Sequence, residues 1–342
     1  MFEAGLRGFP GAPFLPFVSL PGAKRRRLSA GRETMQCEKG IPMNIRTAQK
    51  AADYYEKTLD TQDVARIDFF MKLWLALDEA DAAGDFAGSY EAPDAETVRA
   101  LSDEERPVLD AAPAQIDAQA LSRAICATCA RASELDGFDT ETAAALTRAN
   151  WDDIIAQSPT DMAGKNPAAY LEALMGMLEN TGMTEQQAHL GALFASLALR
   201  AQLEGPAAVI AKARKKAKVF FDHQRTCPVC GSEAALANVG EGGSGDGRNK
   251  QLWCPQCATV WEFDRVRCPR CGTRNQAHLH YYNIEGDEAH RIGTCDECGG
   301  YMRTRFSGEG DAAPLSYEVE DVVMARLDAI AADPSFAGGS AE

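Results

Sequence analysis

Between residues 44 and 222 apolar positions recur at helical spacing. The clearest run lies at 64–83, where Ile67, Phe70, Met71, Trp74, Leu75 and Leu77 fall near a 3.6-residue period and Gly84 and Gly88 mark the end. The same pattern predicts helices over 48–59, 118–134, 139–157, 167–178 and 185–202, and a closing one over 206–223. Thr184 followed three residues later by Gln187 has the form of a capping box at the start of the 185–202 helix. Residues 92–114 are rich in Pro and Asp and read as a loop or short turns. With abundant alanine and no β-branched runs, residues 43–222 read as an all-α domain.

After residue 226 the period changes. Stretches at 251–254 and 258–267 alternate apolar and polar residues, as short half-buried strands do, and the Gly-rich 240–249 segment reads as a hairpin tip. A tail over 307–342 carries a short helix at about 317–332. Residues 1–42 fit neither pattern. Gly, Pro and Phe alternate up to Ser19, then Lys24-Arg25-Arg26-Arg27 follows with no apolar run after it. Secretory and twin-arginine signals place their charges before the apolar stretch, so the order is wrong for both. A disordered extension, or a start assigned upstream of Met43, is expected ahead of an amphipathic targeting segment.

Composition narrows the function classes. The chain has 342 residues, 45% of them hydrophobic, and a formal charge of −15, which supplies a core but no cationic surface for phosphate contacts. No run approaches the roughly 20 apolar residues of a membrane span. Neither a nucleic-acid partner nor membrane insertion is expected.

Eight of the eleven cysteines sit in four CxxC pairs: Cys227/Cys230, Cys254/Cys257, Cys268/Cys271 and Cys295/Cys298. Twenty-three residues separate the first pair from the second and the third from the fourth, with ten between the two units, so one module is present twice (223–262 and 263–306). Paired thiols in a long chain with its own apolar core point to metal ligation in a reducing compartment, here the cytoplasm, rather than to disulfides.

The CPxCG spelling has a physical reason. Two thiolates reach one tetrahedral metal at about 2.3 Å only if the chain turns back within two residues. Proline after the first cysteine presets that turn, and glycine after the second accepts a positive φ and lets N–H groups face sulfur. Four thiolates suit iron and zinc alike, so two metal ions are expected, iron or zinc, one per site. Sequential pairing, first with second and third with fourth, is favoured over a cross-braced arrangement because each 23-residue insert can form a hairpin back to its own site.

Other candidates are weaker. Cys126 and Cys129 form a fifth CxxC inside a helical pattern and read as small buried core thiols rather than a redox pair. His278 and His280 flank Leu279 in an alternating segment and read as one half-exposed strand face, with extra ligation or partner contact as the alternative. Lys212, Arg214, Lys215, Lys216 and Lys218 read as a solvated helix face that could otherwise dock an acidic partner. No nucleophile–base pair, phosphate loop or acid pair stands out, so no enzyme is expected.

Several of these residues carry a family resemblance. Cys227-Pro-Val-Cys230-Gly-Ser, Trp261-Glu-Phe-Asp-Arg-Val-Arg-Cys268, Cys271, Leu279-His-Tyr281 and Cys295-Asp-Glu-Cys298-Gly-Gly-Tyr301 resemble the signature of the formate dehydrogenase accessory protein FdhE family. The resemblance is specific over about 225–306 and extends to the helical part in outline. It implies a helical domain followed by two rubredoxin-like modules, iron on the eight cysteines, and a cytoplasmic role in maturing respiratory formate dehydrogenase through contact with its catalytic subunit. Residues 334–339 depart from the family's aromatic–proline tail. A rubredoxin-like electron carrier acting on the dehydrogenase is the alternative. A zinc-ribbon nucleic-acid binder ranks third, because residues 226–300 hold seven Lys or Arg against ten Asp or Glu.

Overall fold

A computed structural model describes residues 43–81, 89–219, 224–240, 249–307, 313–333 and 336. The 1–42 extension with Cys37, the Gly84/Gly88 stop, the 241–248 hairpin tip, the 220–223 helix end and most of 334–342 lie outside them.

Helices occupy the first part of the described chain. They are α1 (Ile45–Tyr55), α2 (Thr61–Ala80), α3 (Ala95–Asp103), α4 (Val108–Ala111), α5 (Ala118–Ser133), α6 (Thr140–Arg148), α7 (Trp151–Gln157), α8 (Thr160–Lys165), α9 (Pro167–Asn180) and α10 (Glu185–Lys216). Most starts are set by side chains that satisfy free N–H groups: Asp60, Asp94, Asp117 and Asp139 each cap a helix. Thr184 and Gln187 form the reciprocal capping box.

Three stretches differ from the periodic reading. The 92–114 segment holds α3 and α4, whose apolar residues Val98, Leu101, Val108 and Leu109 are buried. The 139–157 segment breaks at Ala149 and Asn150, where Asn150 accepts from Asp153 N and starts α7. The expected helices at 185–202 and 206–223 are one 32-residue helix that runs through Pro206. Proline removes one helical hydrogen bond and crowds the residue before it. That residue is Gly205, which has no Cβ to clash.

The cysteine modules form one sheet rather than two separate ones. Strands β1 (Leu236–Gly240), β2 (Asn249–Trp253) and β3 (Val260–Phe263) come from the first module. The second supplies β4 (Leu279–Ile284), β5 (Asp287–Cys295) and β6 (Tyr301–Phe306). Their order is β3-β2-β1-β6-β5-β4. Neighbours within each module are antiparallel, and the modules join where β1 runs parallel to β6 with Leu236 opposite Arg303. The duplicated units therefore pair first strand to last strand, which protects one edge of each.

Two short helices, α11 (Tyr317–Val323) and α12 (Ala325–Ala331), close the described chain. Val319, Val322 and Val323 enter the same buried cluster as Ile67, Phe70 and Trp74 of α2 and Cys227 and Cys254 of the first module. One core thus spans helices and metal module. Among the described residues no helix is long and apolar enough to cross a membrane.

Candidate metal centres

Each CxxC pair sits in a knuckle with one repeated backbone pattern. The first cysteine's carbonyl accepts from the N–H four residues on: Gly231, Ala258, Gly272 and Gly299, at 2.8–3.0 Å. Its own N–H donates to the carbonyl five residues on: Ser232, Thr259, Thr273 and Gly300. The turn requires the left-handed region at the fourth residue, with φ of +79° at Gly231, +84° at Gly272 and +67° at Gly299. Ala258 adopts +58° without being glycine.

The knuckles bring all eight cysteines into two cages. Cys227, Cys230, Cys254 and Cys257 form one, and Cys268, Cys271, Cys295 and Cys298 the other, with the sulfurs of each within 4.8 Å of one another. Sequential, not cross-braced, grouping is what the hairpins β1–β2 and β4–β5 produce. Cys227 to Cys257 and Cys230 to Cys254 measure 3.5 Å, Cys268 to Cys298 3.8 Å and Cys271 to Cys295 3.7 Å. Four sulfurs at about 2.3 Å from a tetrahedral centre lie about 3.8 Å apart, whereas a disulfide would bring two to about 2 Å. Each cage could hold one metal ion, and the donor set does not separate iron from zinc.

Electrostatics in the first cage favour an incoming cation. Burial opposes charge on every thiol, yet hydrogen bonds from Cys230, Cys254 and Cys257 pull the Cys227 thiol well below its ordinary value. Burial and the neighbouring thiols push Cys254 and Cys257 well above theirs. A divalent ion entering such a cage displaces protons.

The cages differ in setting. All four cysteines of the first are buried, whereas Cys271 of the second is half-buried and Cys298 exposed. The first is docked on the helices through its knuckles. Pro228 and Val229 carbonyls accept from the N–H groups of Val108 and Leu109. Those are the free donors of α4, whose N-cap Pro107 offers no side chain to satisfy them. Gln256 in the second knuckle exchanges hydrogen bonds with Ser196 of α10.

No family model matches the chain. A protein FdhE homolog of Aquifex aeolicus is 30% identical over 124 residues, 35% of this chain and 42% of the relative. Another, from Shewanella oneidensis, is 28% identical over 194 residues, 52% of this chain and 61% of the relative. The crystal structure of the FdhE protein from Pseudomonas aeruginosa shares the fold over 84% of this chain and 90% of that one, with a TM-score of 0.52 at 18% identity. The chain is similar to FdhE proteins in part of its sequence and, at low identity, in its fold. The matches span from about two fifths to three fifths of these curated FdhE homologs' length.

The remaining candidates resolve as follows. Cys129 is buried, but Cys126 on the same helix is exposed, against the reading of two buried thiols. Position 126 follows Ile125 around the helix and leaves the core face. Burial pushes Cys129 up to about 12 and raises Cys126, so neither is a poised thiolate. Arg214 is buried, which removes it from the solvated basic face. His278 lies in a short 3-10 turn (Gln276–His278) and His280 in β4, and they do not share a simple strand face. Both nonetheless reach the fourth knuckle, His280 at 2.8 Å from Asp296 and His278 at 3.7 Å from Glu297.

One cluster had no signal in the sequence. Glu320 of α11 is fully buried between Tyr55 of α1 (2.8 Å), His290 of β5 (2.8 Å) and Arg305 of β6 (3.0 Å). His290 also bonds Asp287 at 2.8 Å through its other ring nitrogen, and Arg326 of α12 pairs with Asp287. Tyr55 and Glu320 are 265 positions apart, and no spacing rule links them.

Proposed function

We propose that this protein is an accessory factor that matures formate dehydrogenase by binding its catalytic subunit, with one metal ion held by each four-cysteine cage. The carrying observation is the pair of closed Cys₄ cages on a helical body in a chain similar to FdhE proteins. Four protein sulfurs fill a tetrahedral centre, leaving no position for a substrate. Such a site stabilises a folded surface or passes electrons, and both fit a factor acting on another protein. The exposure of Cys298 favours an electron-transfer element at the second cage when it holds iron, because a partner's redox centre can approach that thiolate. Zinc there would make the module purely structural.

The test is a strain lacking the gene together with affinity capture of the tagged chain. Loss of formate dehydrogenase activity and co-purification of the catalytic subunit are expected. Normal activity in the deletion strain would overturn the maturation role. Metal analysis of anaerobically purified protein separates the two modes: stably bound zinc with no visible redox transition removes electron transfer and leaves the binding platform.

A further inference from the structure

The strand register sorts the side chains of the second module onto two faces. His290, Arg303 and Arg305 stand on the face that α11 and α12 cover, where they pair with Glu320, Asp321 and Asp328. Tyr281, Arg291, Gly293, Thr304 and Phe306 stand on the opposite face, since Tyr281 lies opposite Gly293 and Arg291 lies opposite Asn283 and Thr304. Across positions 281–283, 291–293 and 302–306 that face carries no carboxylate.

Gly293 sets the arrangement of its rings. A Cβ there would lie 2.9 Å from Tyr281 Cε1, so glycine lets the tyrosine reach across β5 to the Phe306 ring, 5.4 Å away and edge-on at 87°. The Arg291 guanidinium stacks 4.1 Å from the centre of the Phe306 ring. Stacking holds its plane and keeps its N–H fork ready for a carboxylate. Among the described residues neither Arg291 nor the exposed Arg265 pairs with a carboxylate, and Arg291 Nε is buried without an acceptor.

Apolar surface adjoins these charges. Tyr281 is 43% exposed and Val266 40%. Arg265, Val266 and Tyr281 line one cleft, which Cys268 and Cys295 of the second cage line as well. The patch is therefore contiguous with the more exposed cage, and its sign is opposite to the −15 charge of the chain. Exposed apolar side chains bordered by charge mark an interaction site.

We infer that an acidic segment of the catalytic subunit docks across this face, with its carboxylates on Arg291 and Arg265 and its apolar side chains on Tyr281 and Val266. The inference rests on the maturation reading and adds the surface to it. Charge complementarity selects an acidic partner. A second copy pairing this face with itself would set the same arginines against one another.

The test is binding of the purified catalytic subunit by the full-length, metal-loaded protein over a series of salt concentrations. Saturable binding that weakens as salt is raised is expected. Arg291→Gln and Arg265→Glu should each weaken it at least about tenfold, the loss of a charged hydrogen bond, with metal content and circular dichroism unchanged. Arg265→Glu should also flatten the salt dependence. Lys215→Glu, on the basic end of α10, should bind as the wild type does. Full binding by both arginine variants overturns this surface and leaves the maturation reading standing. No binding by the wild type removes that reading and the surface with it. Salt-independent binding, or loss in Lys215→Glu alone, also overturns the surface. So does a wild-type dimer that Arg265→Glu converts to monomer, which would make a second copy the occupant. Should Arg291→Gln fail to fold, Arg265→Glu, at an exposed position, decides alone.

Discussion

Ala258 takes a backbone conformation that the other three knuckles give to glycine. The left-handed region costs a residue with a Cβ roughly 1–2 kcal/mol, and glycine's greater unfolded-state freedom returns about half of that. Ala258→Gly should therefore stabilise the protein by about 0.5–1 kcal/mol, read as a higher urea midpoint with unchanged slope. The reverse change has a graded cost. At Gly299 a Cβ meets nothing within 4 Å, so Gly299→Ala should cost only the conformational penalty. At Gly231 a Cβ would lie 3.2 Å from the rigid Pro107 ring, so Gly231→Ala should cost more and also loosen α4. The glycines after Cys230, Cys271 and Cys298 were legible from the CPxCG spelling. That Ala258 makes the same turn was not, because the cage, not the local sequence, imposes it.

His290 is the other residue with a sharp expectation. Burial opposes its charge, but hydrogen bonds to Asp287 and Glu320 outweigh it and raise the imidazole to about 9. The groups facing it are Tyr55 from α1, Glu320 from α11 and Asp287 on its own strand, with Arg305 and Arg326 paired to those carboxylates. The folded-state value lies above the unfolded one of about 6.5. Its contribution is therefore complete below about 6.5 and lost as pH rises through about 9. The difference corresponds to about 3 kcal/mol at most. Denaturation midpoints measured from pH 6 to 10 should fall for the wild type across that window and stay nearly flat for His290→Gln. A parallel fall in both proteins would reject the assignment.

At the scale of elements, α11 and α12 are tied down by charge as much as by apolar packing. Arg200 of α10 pairs with Glu204 and with Glu318 of α11 and stacks 5.2 Å from the Trp253 ring centre. Arg303 of β6 pairs with Asp321 and Asp328, and Arg305 with Glu320. Glu320→Ala should cost about 3–5 kcal/mol, because it removes the shared carboxylate from two buried cations, His290 and Arg305. Asp68→Ala, which breaks an exposed pair with Lys72, should cost less than about 1 kcal/mol. Similar midpoints for the two variants would show that the buried charges do not hold the strap. The apolar stripe of 317–332 predicted a helix there but not its anchorage. Its acidic residues look like an ordinary solvated face until their arginines arrive from 118, 18 and 15 positions away. Likewise 185–216 could not be read as one helix, since proline normally ends a helix and only a preceding glycine relaxes the clash.

For the whole molecule, the cages share one spacing and one knuckle geometry but differ in burial. Repetition is a property of the sequence and was readable from the cysteines. Inequivalence depends on what packs against each module, and the docking of 228–229 on α4 and of Gln256 on α10 comes from regions with no cysteine motif. The first cage lies inside the core that includes α2, α10 and α11, whereas the second leaves Cys298 exposed. A chelator must reach a thiolate before it can take the metal, and a buried cage opens only with local unfolding. Metal release into excess chelator should therefore be biphasic, with one equivalent lost in each phase. The first phase should leave the helical circular dichroism signal nearly intact, and the second should reduce it, because losing the first cage frees α4 and part of α10. Cys298→Ser should remove or speed the fast phase and leave the slow one unchanged, while Cys254→Ser should do the reverse at a large cost in stability. A single phase carrying both metals, or equal effects of the two substitutions, would mean that the cages open together. The proposed partner contact at the exposed cage would then lose its support.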